Sequence, residues 1–127
     1  MNVNPFSYLI EKLKSIEKID DISFTPLNSC DLSKLYVRKE NNKLVHIQGY
    51  VKLGTNVALN GSLSLASINP AVAPASTDET FSVGYCYDRF ATFLVWFHNG
   101  NLEIYKVSGA LYSSDVVVIN MTFKANS

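Results

Sequence analysis

Residues 35–53, LYVRKENNKLVHIQGYVKL, leave the chain few ways to fold. Val45, Ile47, Val51 and Leu53 share one parity, while His46, Gln48, Tyr50 and Lys52 take the other. A period of two scatters apolar groups around a helix but gathers them on one side of a strand, so this segment predicts a half-buried strand. A second strand precedes it, and Glu40-Asn41-Asn42-Lys43 supplies a tight polar turn between the two. Gly49 breaks the apolar face where a bulge or bend would sit.

Further strand signals follow this hairpin. Val57 to Leu59 and Leu63 to Leu65 flank an Asn60-Gly61 turn, a strong hairpin signal. Residues 66–79 have no periodicity and predict a long loop. Phe81, Val83, Tyr85 and Tyr87 alternate with Ser82, Gly84 and Cys86. Phe90 to Phe97 is apolar except for Thr92, which predicts a strand buried on both faces. Asn99-Gly100 turns it into Leu102 to Val107, a polar loop runs from Ser108 to Asp115, and Val116 to Lys124 closes the chain. Such short strands, with no crossover helices, predict an all-β fold: an antiparallel β-sandwich or jelly roll. Its core is expected to hold Val45, Ile47, Val51, Phe81, Val83, Ile119 and Phe123.

The N-terminus reads differently. Asn4 and Pro5 suit a cap and first turn, and Phe6, Leu9, Leu13 and Ile16 recur at coiled-coil spacing, with Ile10 widening the stripe. The expected division is a short N-terminal α-helix with its linker over 1–25 and a β head domain over 26–127. The helix either docks on that head or joins sister helices as a trimeric stem.

Charge sharpens the contrast. Residues 1–43 hold seven of the eleven Lys and Arg and six of the eleven acidic groups. A β domain so poor in charge is expected to hide surface against neighbours, which favours oligomerisation. No basic stripe marks a nucleic-acid partner, and no apolar run reaches the ~18 residues of a membrane span. Glu11, Lys12 and Lys14 interrupt any signal-peptide core, so synthesis in a cytoplasm is the expectation. Cys30 and Cys86 lack metal-type spacing and are expected to be reduced, buried thiols.

Little here suggests catalysis. His46 and His98 form no HExxH pair, and no Ser/His/Asp arrangement can be assembled from the sequence. A sugar hydrolase needs two carboxylates about 5 to 10 Å apart, and nothing in the sequence pairs the five acidic residues that follow residue 43. The expectation is a non-enzyme with no cofactor and no metal. Aromatics offer more, because phenols both stack and hydrogen-bond. Tyr85, Tyr87, Asp88, Arg89, His98, Asn99, Tyr112 and Asp115 fall on or near three connections and form the candidate ligand site. Asp88 and Arg89 read either as a turn with a salt bridge or as polar partners for a sugar.

Tyr36-Val37-Arg38-Lys39, Val45 to Val51, Asn69-Pro70 through Pro74, His98-Asn99-Gly100-Asn101 and Val116 to Phe123 follow one another in a familiar order. This pattern, over residues 30–127, resembles the C-terminal domains of bacteriophage tail-fibre and receptor-binding proteins. The family often has Leu-Pro before its central loop, where this chain has Ile68-Asn69-Pro70. The resemblance implies a virion protein, made in a bacterial cytoplasm, whose trimeric head recognises a host-surface glycan. The alternative is a decoration or baseplate protein that binds only other virion proteins.

Overall fold

The computed structural model describes residues 24–76 and 80–126. The helix expected near the N-terminus, with Phe6, Leu9, Leu13 and Ile16, lies outside the described residues. So do Asp78 and Glu79.

Eight strands run in chain order: β1 (Thr25–Pro26), β2 (Asp31–Lys39), β3 (Leu44–Lys52), β4 (Leu63–Ser67), β5 (Phe81–Cys86), β6 (Thr92–His98), β7 (Asn101–Tyr105) and β8 (Val116–Lys124). A 3-10 turn, Pro70–Val72, interrupts the loop after β4, and the Asn69 side chain caps it by accepting from the Ala71 amide. Every pairing is antiparallel, as the alternation predicts. No described helix is long and apolar enough to cross a membrane.

The sandwich expectation is corrected. The strands form one sheet in the order β1-β4-β7-β6-β5-β8-β3-β2, not two stacked sheets. Its outermost strands, β1 and β2, are consecutive in the chain and separated only by residues 27–30. One end of the sheet must therefore curl round to meet the other, giving a nearly closed barrel. The connecting segment touches both sides of the seam. Leu27 N–H donates to Leu65 O, Asn28 Nδ2 donates to Ser64 O, and the Ser29 backbone packs against Gly54 just beyond β3.

The first hairpin matches its sequence. Glu40 N–H donates to Leu44 O at 2.8 Å, Lys43 N–H donates to Glu40 O at 3.0 Å, and Lys43 takes a positive φ. Val45, Ile47 and Val51 are fully buried, and β3 pairs along its whole length with β8. Asn99 and Gly100, both with positive φ, make the expected tight turn between β6 and β7. Asn60-Gly61 also turns the chain, but it joins no hairpin. Val57 bridges Leu111, and β4 pairs with β1 and β7.

Two strands depart from the expected burial, and β5 presents the opposite face. Phe81 and Val83 are 62% and 66% exposed, while Gly84 and Cys86 point inward. The reason is local: a Cβ on Gly84 would lie 2.5 Å from the Phe93 ring, so Phe93 fills the space a β5 side chain would need. Strand β6 is likewise buried on one face only. Phe93, Val95 and Phe97 point in, while Thr92 and Leu94 point out and Trp96 is half-buried. The barrel then carries an apolar outer wall of Phe81, Val83, Leu94 and Trp96, with Phe81 opposite Trp96 and Val83 opposite Leu94.

Inside, Phe97 and Phe123 meet edge to face at 5.0 Å, and Leu65, Leu102, Ile104, Val117 and Ile119 are essentially inaccessible. Cys30 and Cys86 are free, buried thiols, as expected. Burial raises the Cys30 thiol above its ordinary value, partly offset by a backbone hydrogen bond from Gly54. Ile119→Ala, at a position 1% exposed, is expected to cost about 2–5 kcal/mol through lost burial and a residual cavity. Urea unfolding should show a lower midpoint at unchanged slope; an unchanged midpoint would remove Ile119 from the core.

Candidate ligand-binding site

One end of the barrel gathers most of the candidate residues. The β5–β6 connection, residues 87–91, is held by Cys86 N–H to Ala91 O at 2.9 Å and Ala91 N–H to Arg89 O at 2.9 Å. Its neighbour is the loop between β7 and β8, which reaches the same end because β7 runs back antiparallel to β6 and β8 starts beside the end of β5. Ser108 ties the two: its N–H donates to Thr92 O, and its hydroxyl accepts from Thr92 N–H, both at 2.8 Å.

Arg89 and Asp115 make a bidentate ion pair across this junction. Arg89 Nε donates to Asp115 Oδ2 at 2.7 Å and Nη2 donates to Oδ1 at 2.8 Å, while Oδ2 also accepts the Tyr112 N–H at 2.8 Å. The guanidinium lies over the Tyr112 ring, 4.6 Å from its centroid. Asp115 is only 5% exposed. Burial opposes its charged form, but the Arg89 hydrogen bonds and charge, with the Tyr112 amide, outweigh it and hold the carboxyl below the usual carboxylate range. Asp88 makes a second stitch, its Oδ2 accepting Val116 N–H at 2.7 Å.

Beside this clamp lies an open cleft of about 500 Å³ lined by Tyr85, Cys86, Tyr87, Asp88, Arg89, Phe90, Ala91, Thr92 and Ser108, within the size range of small-molecule sites. Tyr87 is 74% exposed, and Phe90, at the tip of the connection, is fully exposed. With Tyr85, also exposed, they gather three aromatic rings in one solvent-facing patch, and such a patch marks a contact surface.

Of the residues singled out in the sequence, Tyr85, Tyr87, Asp88 and Arg89 therefore line one cleft, and Tyr112 and Asp115 join it through Arg89. Asp115 is a brace beneath the site and not a surface group. His98 and Asn99 do not belong to it. They close β6 at the end opposite Thr92, about 20 Å away at ordinary strand rise. There His98 stacks on Trp96, whose other stacking partner is Tyr105. Consecutive connections of an antiparallel sheet lie at opposite ends, so the β6–β7 turn cannot share a site with the β5–β6 turn.

Phe90, Thr92 and Ser108 were not among the sequence candidates. Parity could have found Phe90: Ala91, Phe93, Val95 and Phe97 share the buried register, and Phe90 does not. Cys86, Asp88 and Asp115 place their ligand-type atoms within 4.8 Å of one another, but both Asp115 oxygens are already taken by Arg89.

No family model and no curated protein matches the chain. Among solved structures it is similar to the head domain of phage bIL170, described in connection with a common fold for the receptor-binding domains of lactococcal phages. The TM-score is 0.61 at 13% identity, over 83% of this chain and 99% of that chain. At so low an identity the likeness is one of architecture: this chain has the fold of a phage receptor-binding head domain.

Proposed function

We propose that this chain is a receptor-binding domain of a phage virion protein, which holds a saccharide of the host surface by binding and breaks no bond. The observation that carries the reading is the solvent-facing aromatic cleft at one end of a barrel of this fold. Tyr87 and Phe90 offer flat apolar faces to a sugar ring, and Asp88, Thr92 and Ser108 offer polar atoms beside them. Such sites are weak singly. A homotrimer, with Phe6, Leu9, Leu13 and Ile16 as its stem seam, would raise the effective concentration of the second and third sites without new contacts. The wall of Phe81, Val83, Leu94 and Trp96 supports assembly as well, since β5 and β6 carry no charged side chain. The same wall favours a second reading, a virion protein that contacts only other virion proteins.

Tyr87→Ala and Phe90→Ala separate the two readings. Both side chains are exposed, so folding and the trimeric mass by light scattering should be unchanged. Each lost stacking contact is worth about 0.5–1.5 kcal/mol, or roughly two- to tenfold in affinity per site. Host-cell adsorption should fall with each change and further with both. Full adsorption by the double variant would move recognition away from the cleft. A monomer at micromolar concentration would remove the stem and the avidity with it.

A further inference from the structure

The cleft holds few charged groups. Arg89, its one cationic side chain, has its charge balanced by Asp115, to which Nε and Nη2 donate, and its plane rests on Tyr112. Two carboxylates, Asp88 and Asp115, stand within 4.8 Å of each other, and against the one guanidinium they leave a net charge of minus one. Asp88 is exposed and uses Oδ2 to hold Val116 N–H. No other hydrogen bond reaches it from the described residues, so Oδ1 is available as an acceptor. No lysine lines the cleft.

We propose that the cleft selects uncharged saccharides and rejects anionic ones, with Asp88 as the discriminating residue. The inference rests on the saccharide reading above. A sugar hydroxyl donates to the Asp88 carboxylate while the ring lies against Tyr87 or Phe90. A uronate or sugar phosphate brings acceptors and negative charge against an acidic side chain. At contact distance, repulsion between two partly hydrated like charges weakens binding by about tenfold.

Chemical-shift titration of the isotope-labelled protein tests this. The probes are the methyl glycosides of glucose and galactose, each against its uronate, and N-acetylglucosamine against its phosphate. The amides of residues 85–92 should shift with at least one neutral member, while its anionic counterpart needs about tenfold higher concentration for the same shift. Asp88→Asn keeps an oxygen for Val116 N–H and removes the charge, so the two dissociation constants should converge. An anionic probe binding as tightly as its neutral partner would overturn the proposal, and so would a ratio unchanged in Asp88→Asn. If no probe, neutral or anionic, perturbs these amides, the saccharide reading falls and the charge rule falls with it.

Discussion

Gly49→Ala is expected to lower the melting temperature by about 10–20 °C, on an estimated cost of about 3 kcal/mol for a domain of this size. Gly49 sits mid-strand in β3 at φ +130°, opposite Leu35. A Cβ built there would lie 2.0 Å from the Lys34 carbonyl oxygen and 3.3 Å from the Leu35 Cα. The obstacle is backbone, so no side chain can swing aside to make room. Strand β2 approaches this closely because its register with β3 shifts between Asp31 and Lys34. Alanine would both strain the dihedral and push β2 off the sheet. Gly100→Ala is the control: its φ is also positive, at +77°, but nothing lies within 4 Å, so about 1 kcal/mol is expected. Thermal unfolding followed by circular dichroism compares the two. Equal, small shifts in both variants would mean that β2 does not need that approach.

Asp115→Ala is expected to cost about 2–3 kcal/mol. Its carboxylate satisfies three N–H donors, two on Arg89 and one on Tyr112. Removing it takes the partner from the part-buried Tyr112 N–H bond, while Arg89, which is 39% exposed, regains water; this keeps the estimate at the lower end. Its pH dependence follows from the lowered carboxyl. A carboxylate whose folded value lies below its unfolded one stabilises the fold fully above the unfolded value, near 3.9. That contribution disappears as pH falls through the folded value. Asp115→Asn should therefore be less stable than the parent at neutral pH and approach it in acid. A stability difference that persists unchanged into strong acid would show that the Asp115 charge contributes nothing.

The sequence carried the strands far better than their arrangement. Val45, Ile47 and Val51 alternate cleanly because β3 has one wet and one dry face, so that hairpin and β8 could be placed to within a residue or two. Alternation says nothing about which strand lies beside which. β3 pairs with β8, and β1 lies at the opposite edge from β2; only those pairings separate a curled barrel from a sandwich. Parity also misled at β5, where the larger apolar residues face out because Phe93 fills the inward space over Gly84. At the site, Tyr85 to Arg89 were visible because they are contiguous. The joining of Tyr112 and Asp115 to them, and the separation of His98, follow from which end of the sheet each connection reaches. That is a property of topology and not of residue type.

The pairing of β3 with β8 also bears on how the chain is made. β2 and β3 emerge from a ribosome early and can close their hairpin at once, but the far edge of β3 stays open until residues 116–124 have been synthesised. β4 waits in the same way for β7. A nascent chain therefore carries two unsatisfied, apolar-faced edges until β7 and β8 have emerged, and edges of that kind invite pairing with another copy. Folding is expected to be committed late and nearly all at once, when the last strand slots between β3 and β5. Losing β8, which lies between β5 and β3, would leave the whole barrel unformed, not merely trimmed.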